Sequence, residues 1–342
     1  MSPPLQTVRA CPGCGAAAVD GDHFCEACGA ELPGPDPGST GPAVPAAIAS
    51  KAPVCGSCGA GLTDDGNGYC PVCGMKAPSP RDYTEFEAQG LGAVSDRGRT
   101  HPRNEDAFAV QGGDEVAAVV CDGVSTTVNP DRASQAAADA ALAVINADRR
   151  DAPLRLVDAY AAARTAVEAV EGDPRPPALG WPSCTFLACI VAAMVVDVAT
   201  SGDCRTYWLP ATGDPALLTE DDSWAAEQVS TGAMSADDAY ASPMAHTITR
   251  WLGRDADPGW RPRLVRFAAP GPGRLVLCSD GLWNYARTAT DVAAAAGPGE
   301  ALGVARRLTS FANDRGGHDN ITVVVIDLPG GGDGDEPKEQ TS

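Results

Sequence analysis

The chain is poor in bases. Its 342 residues carry 25 Lys and Arg against 45 Asp and Glu, for a formal net charge of −20. That balance excludes a duplex-binding surface, because phosphate backbones are gripped by basic faces. Long apolar runs are also missing. The longest, Cys184 to Val196, spans 13 residues and is rich in β-branched side chains. It is too short for a helical membrane span and reads as strand. Residues 1 to 10 lack the apolar core of a secretory leader, so no export signal is expected. Aromatics make up 5% of the chain, and the first 76 residues set three basic side chains (Arg9, Lys51, Lys76) against seven acidic ones. Nothing there is displayed for phosphates or bases, so neither nucleic acid nor membrane is an expected partner. A cytoplasmic location is the matching expectation.

Cysteine, by contrast, is concentrated near the start: eight of the thirteen precede Gly74. They form Cys-x-x-Cys-Gly knuckles in two matched pairs, Cys11/Cys14 with Cys25/Cys28 and Cys55/Cys58 with Cys70/Cys73. Each knuckle is a tight turn whose sulfurs point one way, and two knuckles supply the four thiolates that tetrahedral zinc prefers. Without an export signal, metal rather than disulfide is the expected use. Two structural Zn²⁺ ions are therefore expected, in zinc ribbons at residues 1–31 and 54–76. Modules this short need the metal to fold. His23 adjoins a site that is already full and reads as solvated. The lack of basic display points the ribbons toward protein docking or regulation. Residues 32–53 have the Pro/Ala/Gly composition of a linker, residues 77–86 repeat it briefly, and the acidic, Gly-rich stretch 329–342 is expected to be disordered. Cys121, Cys184, Cys189, Cys204 and Cys278 lie in apolar segments and read as small buried hydrophobes.

Residues 87–328 alternate strands with alanine-rich helices. Strands are predicted at 92–95, 107–111, 116–121, 185–191, 193–200, 206–209, 264–267, 274–279 and 321–328. Helices are predicted at 130–149, 154–170, 224–230, 236–240, 245–252 and 303–314, the first with Asn129 as its cap and Pro130 at its first position. Helices in consecutive pairs and strands in hairpins favour antiparallel sheets between helical layers over a βαβ fold.

Acidic residues stand at the ends of several of these strands. Asn104-Glu105-Asp106 precedes one, Asp122-Gly123 and Asp280-Gly281 follow others, and His318-Asp319-Asn320 precedes the last. A strand that delivers an Asp beside a Gly holds the carboxylate stiffly and lets backbone approach a ligand closely. Converging carboxylates repel unless divalent cations neutralise them, which points to a multi-metal hydrolytic site. No Ser or Cys nucleophile is needed: Ser183 and Cys184 have no paired base and read as the start of a strand.

Taken in order, Ser95-Asp96-Arg97-Gly98 through Asn104-Glu105-Asp106, Cys121-Asp122-Gly123, Ser201-Gly202-Asp203-Cys204-Arg205, Ser279-Asp280-Gly281 and Gly317-His318-Asp319-Asn320 resemble the metal-dependent serine/threonine phosphatases of type 2C. The resemblance spans some 240 residues. It implies an α+β fold, an αββα sandwich of two antiparallel sheets flanked by helix pairs, preceded here by the two ribbons. It also implies a binuclear Mn²⁺ or Mg²⁺ centre that activates water against phosphoserine or phosphothreonine on proteins, the targets of a serine/threonine kinase. By the same resemblance Asp122 bridges both metals, Asp280 and Asp319 complete one shell, and Glu105 with the Gly123 carbonyl holds the other. Asp106 accepts from a coordinated water, and Asp203 with Asp280 takes the third metal of bacterial members.

This chain departs from the family pattern in three places. His101 stands where the family has a phosphate-clamping Arg, so Arg103, two residues on, or protonated His101 is the expected substitute. The Asp-Gly-x-Gly-Gly loop carries Val124-Ser125-Thr126, and Asp222 replaces a common His. His318 is a candidate proton donor to the leaving oxygen, with a solvated ring as the alternative; His246 reads as structural. The competing functional reading is a pseudophosphatase that binds phosphoproteins. Retention of every acidic ligand disfavours it, since an acidic cluster without metal is costly.

Overall fold

The computed structural model describes the strands Val8–Ala10 (β1) and Ala17–Val19 (β2) together with residues 55, 60, 61, 70–73, 79–147, 149–171 and 180–328. Cys11, Cys14, Cys25, Cys28, Cys58, the 32–53 linker and the 329–342 tail lie outside the described residues. The chain forms two compact units, Met1–Val54 and Cys55–Ser342. In the first, β1 and β2 pair antiparallel with Val8 opposite Val19.

The second unit is built on two antiparallel sheets. One contains Tyr83–Ala88 (β3), Leu91–Asp96 (β4), Arg205–Pro210 (β10), Ala216–Leu217 (β11), Gly273–Cys278 (β14) and Ile321–Leu328 (β15), in the order β11-β10-β14-β15-β4-β3. The other contains Ala107–Gln111 (β5), Glu115–Cys121 (β6), Phe186–Ala192 (β8), Val195–Ser201 (β9) and Arg263–Ala268 (β13), in the order β13-β9-β8-β6-β5. A small pair, Ser183–Cys184 (β7) with Leu252–Gly253 (β12), sits beside them. Alternate side chains of the two sheets meet in an inner core that includes Ala118, Val120, Leu187, Val196, Val198, Leu275, Leu277, Val324 and Ile326. Each fully buried aliphatic side chain there contributes about 1.5–3 kcal/mol.

The central strands are buried on both faces, so each sheet carries a second cover. Pro130–Ala147 (α1) and Ala152–Ala169 (α2) supply it for the five-stranded sheet, through Ala137, Ala141, Ile145, Leu156 and Tyr160. Asp280–Trp283 (α5), Ala289–Ala296 (α6) and Ala301–Asp314 (α7) supply it for the six-stranded sheet, through Trp283, Val292, Val304 and Leu308. The expected αββα sandwich is the architecture observed. Trp224–Ser230 (α3) and Ala236–Tyr240 (α4) form a smaller layer beside it, closed around Ala225, Ala239 and Ala245.

Three expectations change. Residues 83–86 are not linker, because Tyr83–Ala88 pairs with β4 along its whole length. As an edge strand it exposes alternate residues, so its outward face is polar and masks the pattern. The helix predicted at 245–252 is absent: Ile248 bridges Ser223 and Leu252 pairs with Cys184, so strand contacts override the apolar spacing. Asn129 does not cap α1 with its side chain. It takes φ 49° and its Nδ2 donates to the Glu171 carbonyl at 3.0 Å.

Candidate metal centre

The strand ends of both sheets meet at one edge of the sandwich. β6 ends at Cys121, just before Asp122, and β14 ends two residues before Asp280; β5 starts after Asp106, β10 two residues after Asp203, and β15 two residues after Asp319. Backbone pairing locks these ends together. The Thr185 amide donates to the Asp122 carbonyl at 2.8 Å, and Thr185 Oγ1 accepts the Asp122 amide at 2.9 Å. Across the sheets, Asn320 Oδ1 accepts the Glu105 amide at 2.7 Å, while its Nδ2 donates to the carbonyls of Arg97 and Arg103 at 2.8 and 3.0 Å. Asn104 braces the same turn through Ser95 Oγ at 2.8 Å.

Close approach explains two glycines. A Cβ at Gly281 would lie 1.9 Å from the Asn320 carbonyl oxygen, so only glycine lets α5 start against the Asp319-Asn320 turn. Gly98, at φ 74°, abuts the Asp319 carbonyl at 2.1 Å from the position of a Cβ.

Five carboxyls gather within electrostatic reach of one another. The surrounding protein pushes the Asp122 carboxyl well above its ordinary range, and Asp106, Asp280, Asp319 and Asp203 push it further. Asp280 is raised in the same way, by burial first and then by Asp319, Asp203 and Asp106. Asp106 is pushed up to about 7 by burial, although Ser279 Oγ donates to its Oδ2 at 2.7 Å. Asp203 also reaches about 7, through burial and Asp221, against the pull of Arg205. Asp319 is raised by burial and partly relieved by His101, whose Nε2 lies 3.3 Å from its Oδ1. Asp106 Oδ1 and Asp280 Oδ1 are buried with no hydrogen-bond partner. Orphaned carboxylate oxygens among mutually repelling acids fit hard divalent cations, which take oxygen ligands.

Glu105 shares this turn, but its oxygens are engaged. Arg103 Nε donates to Oε1 at 2.9 Å and Ser125 Oγ to Oε2 at 2.5 Å. The Gly123 amide donates to the Glu105 carbonyl at 3.1 Å, and Ser134 Oγ bonds the same carbonyl at 2.5 Å. Arg103 also lies 3.5 Å from Asp131, so both its partners are protein carboxylates. His318 is exposed and its ring stacks on Tyr285 at 6.5 Å. Supports that sequence reading missed are Ser125, Ser134, Thr185, Ser279 and Asn284, the last donating to Asp280 Oδ2 at 3.2 Å. A lone Ser, Thr or Asn carries no pattern of its own. Behind Asp203, Trp283 Nε1 donates to its carbonyl at 2.9 Å, and the Arg205 guanidinium lies 3.9 Å over the Trp283 ring.

A second cluster holds sulfur. The ligand atoms of Cys55, Cys70 and Cys73 all lie within 4.8 Å of one another, with 3.5 Å between Cys55 and Cys73 Sγ. The Cys55 amide donates to the Ala60 carbonyl at 2.8 Å. Gathered thiols of this kind fit zinc.

Residues 97–305, which contain every carboxylate of the cluster except Asp319, match the Protein phosphatase 2C family. The chain belongs to that family. Residues 11–74 match the double zinc ribbon family. Among relatives of this phosphatase 2C chain, the serine/threonine protein phosphatase PstP of Mycobacterium tuberculosis is 32% identical over 240 residues, 69% of the chain and 44% of the relative. The Listeria monocytogenes serine/threonine phosphatase stp is 33% identical over 150 residues, 42% of the chain and 56% of the relative. The chain thus spans about half the length of these curated relatives. Among solved structures, the PstP catalytic domain in complex with two manganese ions is 31% identical, with TM-score 0.58 over 69% of the chain and 96% of that domain. The phosphatase MsPP of Mycobacterium smegmatis, in complex with cacodylate, is 29% identical, with TM-score 0.57 over 70% and 100%.

Proposed function

We propose that this chain hydrolyses phosphoserine and phosphothreonine on proteins at a Mn²⁺ or Mg²⁺ centre. The observation that carries the reading is the convergence of Asp106, Asp122, Asp203, Asp280 and Asp319, drawn from both sheets, with their carboxyls raised first by burial and then by neighbouring carboxylates. Asp122, whose carboxyl feels Asp106, Asp280, Asp319 and Asp203, would be the ligand common to both cations, as in the family it resembles. Asp280 and Asp319 on one side, and Glu105 with the Gly123 carbonyl on the other, would hold two cations; Asp203 with Asp280 would hold a third. When bound, the cations supply a water activated near neutral pH and charge neutralisation on the phosphoryl group.

The protein's own part is positioning. Asp106, fixed by Ser279, can accept a hydrogen bond from water at the centre. His101 reaches into the cluster through Asp319 and can donate to a phosphate oxygen, whereas Arg103 is held by Glu105 and Asp131 until those carboxylates are otherwise engaged. Substrates are phosphoproteins made by serine/threonine kinases, by likeness to the named relatives. The ribbons, each holding one structural zinc, serve as a protein-docking or regulatory arm, and the chain works in the cytoplasm. No helix among the described residues is long and apolar enough to cross a membrane.

The test is phosphate release from a phosphothreonine peptide with and without Mn²⁺, with Asp280→Asn as control. Saturable, manganese-dependent release that falls by about 10³-fold or more in the variant supports the reading. Manganese binding without release would instead favour the phosphoprotein-binding pseudophosphatase, the reading suggested by the missing Arg at position 101.

A further inference from the structure

Beside the carboxylate cluster lies a cleft of about 480 Å³, floored by Val124–Thr127 and walled by His246, Trp251 and Asp255. We propose that this cleft is a specificity subsite that takes a cationic side chain, Arg or Lys, near the phosphorylated residue of the substrate. The proposal rests on the phosphatase reading and adds to it a sequence preference.

Continuity with the centre comes from the floor and from one wall. Val124 and Ser125 follow Asp122-Gly123 in the chain, and Ser125 Oγ holds Glu105. His246 lies within electrostatic reach of Asp319. A peptide whose phosphate meets the carboxylate edge therefore has a neighbouring side chain at the mouth of the cleft.

Chemistry selects a cation. Asp255 Oδ1 accepts the Trp251 indole N–H at 3.0 Å, and among the described residues Asp255 has no ion-pair partner. The nearby guanidiniums are spent elsewhere. Arg254 donates to the Glu168 carbonyl at 2.7 and 3.0 Å and stacks 4.8 Å over Trp181, and Arg250 lies 3.6 Å from Asp222. Burial, Arg287 and Arg205 hold the His246 imidazole below its ordinary pKa, so at neutral pH it adds no repelling charge. Trp251 is fixed edge-on against Trp260, with centroids 5.2 Å apart. The carboxylate leans over bare backbone: a Cβ on Gly253 would lie 3.0 Å from Asp255 Oδ1 and 2.5 Å from Ser183 Oγ. An indole held beside an exposed carboxylate that has no cation of its own among the described residues, with hydroxyls from Ser125, Thr126 and Thr127 across the floor, matches a guanidinium or ammonium group in charge and in hydrogen bonding.

The experiment uses the full chain with Mn²⁺ and a set of phosphothreonine peptides. Each carries one Arg at one of the three positions on either side of the phosphothreonine, and each has a twin with citrulline, the uncharged isostere, in its place. At one position Arg is expected to raise kcat/KM about tenfold over citrulline. Asp255→Asn is expected to bring that ratio close to one, and Asp255→Glu to restore it. If Arg never exceeds citrulline, or if the preference survives Asp255→Asn, the proposal is overturned. Should neither the peptides nor an aryl phosphate be hydrolysed at all, the phosphatase reading fails by itself. Fluorescence anisotropy of the same labelled peptides on the same proteins then decides the subsite by the same ratio of Arg to citrulline.

Discussion

At the scale of single residues, the cluster makes folding depend on pH in a direction opposite to most acidic sites. Asp106 and Asp203 have ordinary values of 3.8 and are raised to about 7 in the fold. The folded state therefore binds more protons than the unfolded state between those values, and stability falls as pH rises through that window. In buffer free of Mn²⁺ and Mg²⁺, the melting temperature is expected to drop from pH 5.5 to 8, and added Mn²⁺ to cancel most of that slope. A melting temperature that stays flat or rises with pH without metal would show that these carboxyls are not raised in the fold. His101 carries a second expectation. Its imidazole already reaches Asp319, so a longer, permanently charged guanidinium there should extend to a bound phosphate. His101→Arg is expected to lower KM for a small aryl phosphate about three- to tenfold, read from initial rates. An unchanged or higher KM would remove position 101 from the phosphate site. Asp122 and Asp280 were legible in the sequence because Asp-Gly at a strand end is a pattern, whereas Asp203 was legible only through the family resemblance. Their supports, Ser279, Thr185 and Ser125, were not, because what makes them matter is a neighbour far away in the chain.

At the scale of elements, one buried ion pair ties β10 to the segment leading into α3. Arg205 Nε and Nη2 donate to Asp221 at 2.9 and 2.6 Å, and both side chains are almost wholly buried. The same guanidinium lies over Trp283, which in turn holds the Asp203 carbonyl. Removing only the cation leaves an unpaired buried carboxylate, so Arg205→Met is expected to cost about 3–5 kcal/mol in urea unfolding. Arg205→Met with Asp221→Leu should recover much of that loss. A single-variant cost below about 1 kcal/mol would mean the pair is not buried as described. Elements with strong periodicity, such as α1, α2, α7 and β15, were readable to within a few residues. The segment 245–252 was not, because Leu252 answers to Cys184 across a two-residue bridge rather than to its own helical spacing. α6 was overlooked even though Thr288 and Asp291 form a reciprocal cap at its start.

At the scale of the whole molecule, the αββα order was legible because helices arrive in pairs and strands in hairpins. The division of strands between sheets was not, because β10 and β14 join β15 and β4 across long stretches of chain. Acids from both sheets meet at one edge of the sandwich. The central claim is that these acids hold cations as one centre rather than separately. Electron paramagnetic resonance of Mn²⁺ titrated into the full chain tests it most directly. The account predicts a spin-coupled manganese pair that is lost in Asp122→Asn. Isolated, uncoupled manganese, or coupling untouched by Asp122→Asn, would contradict it.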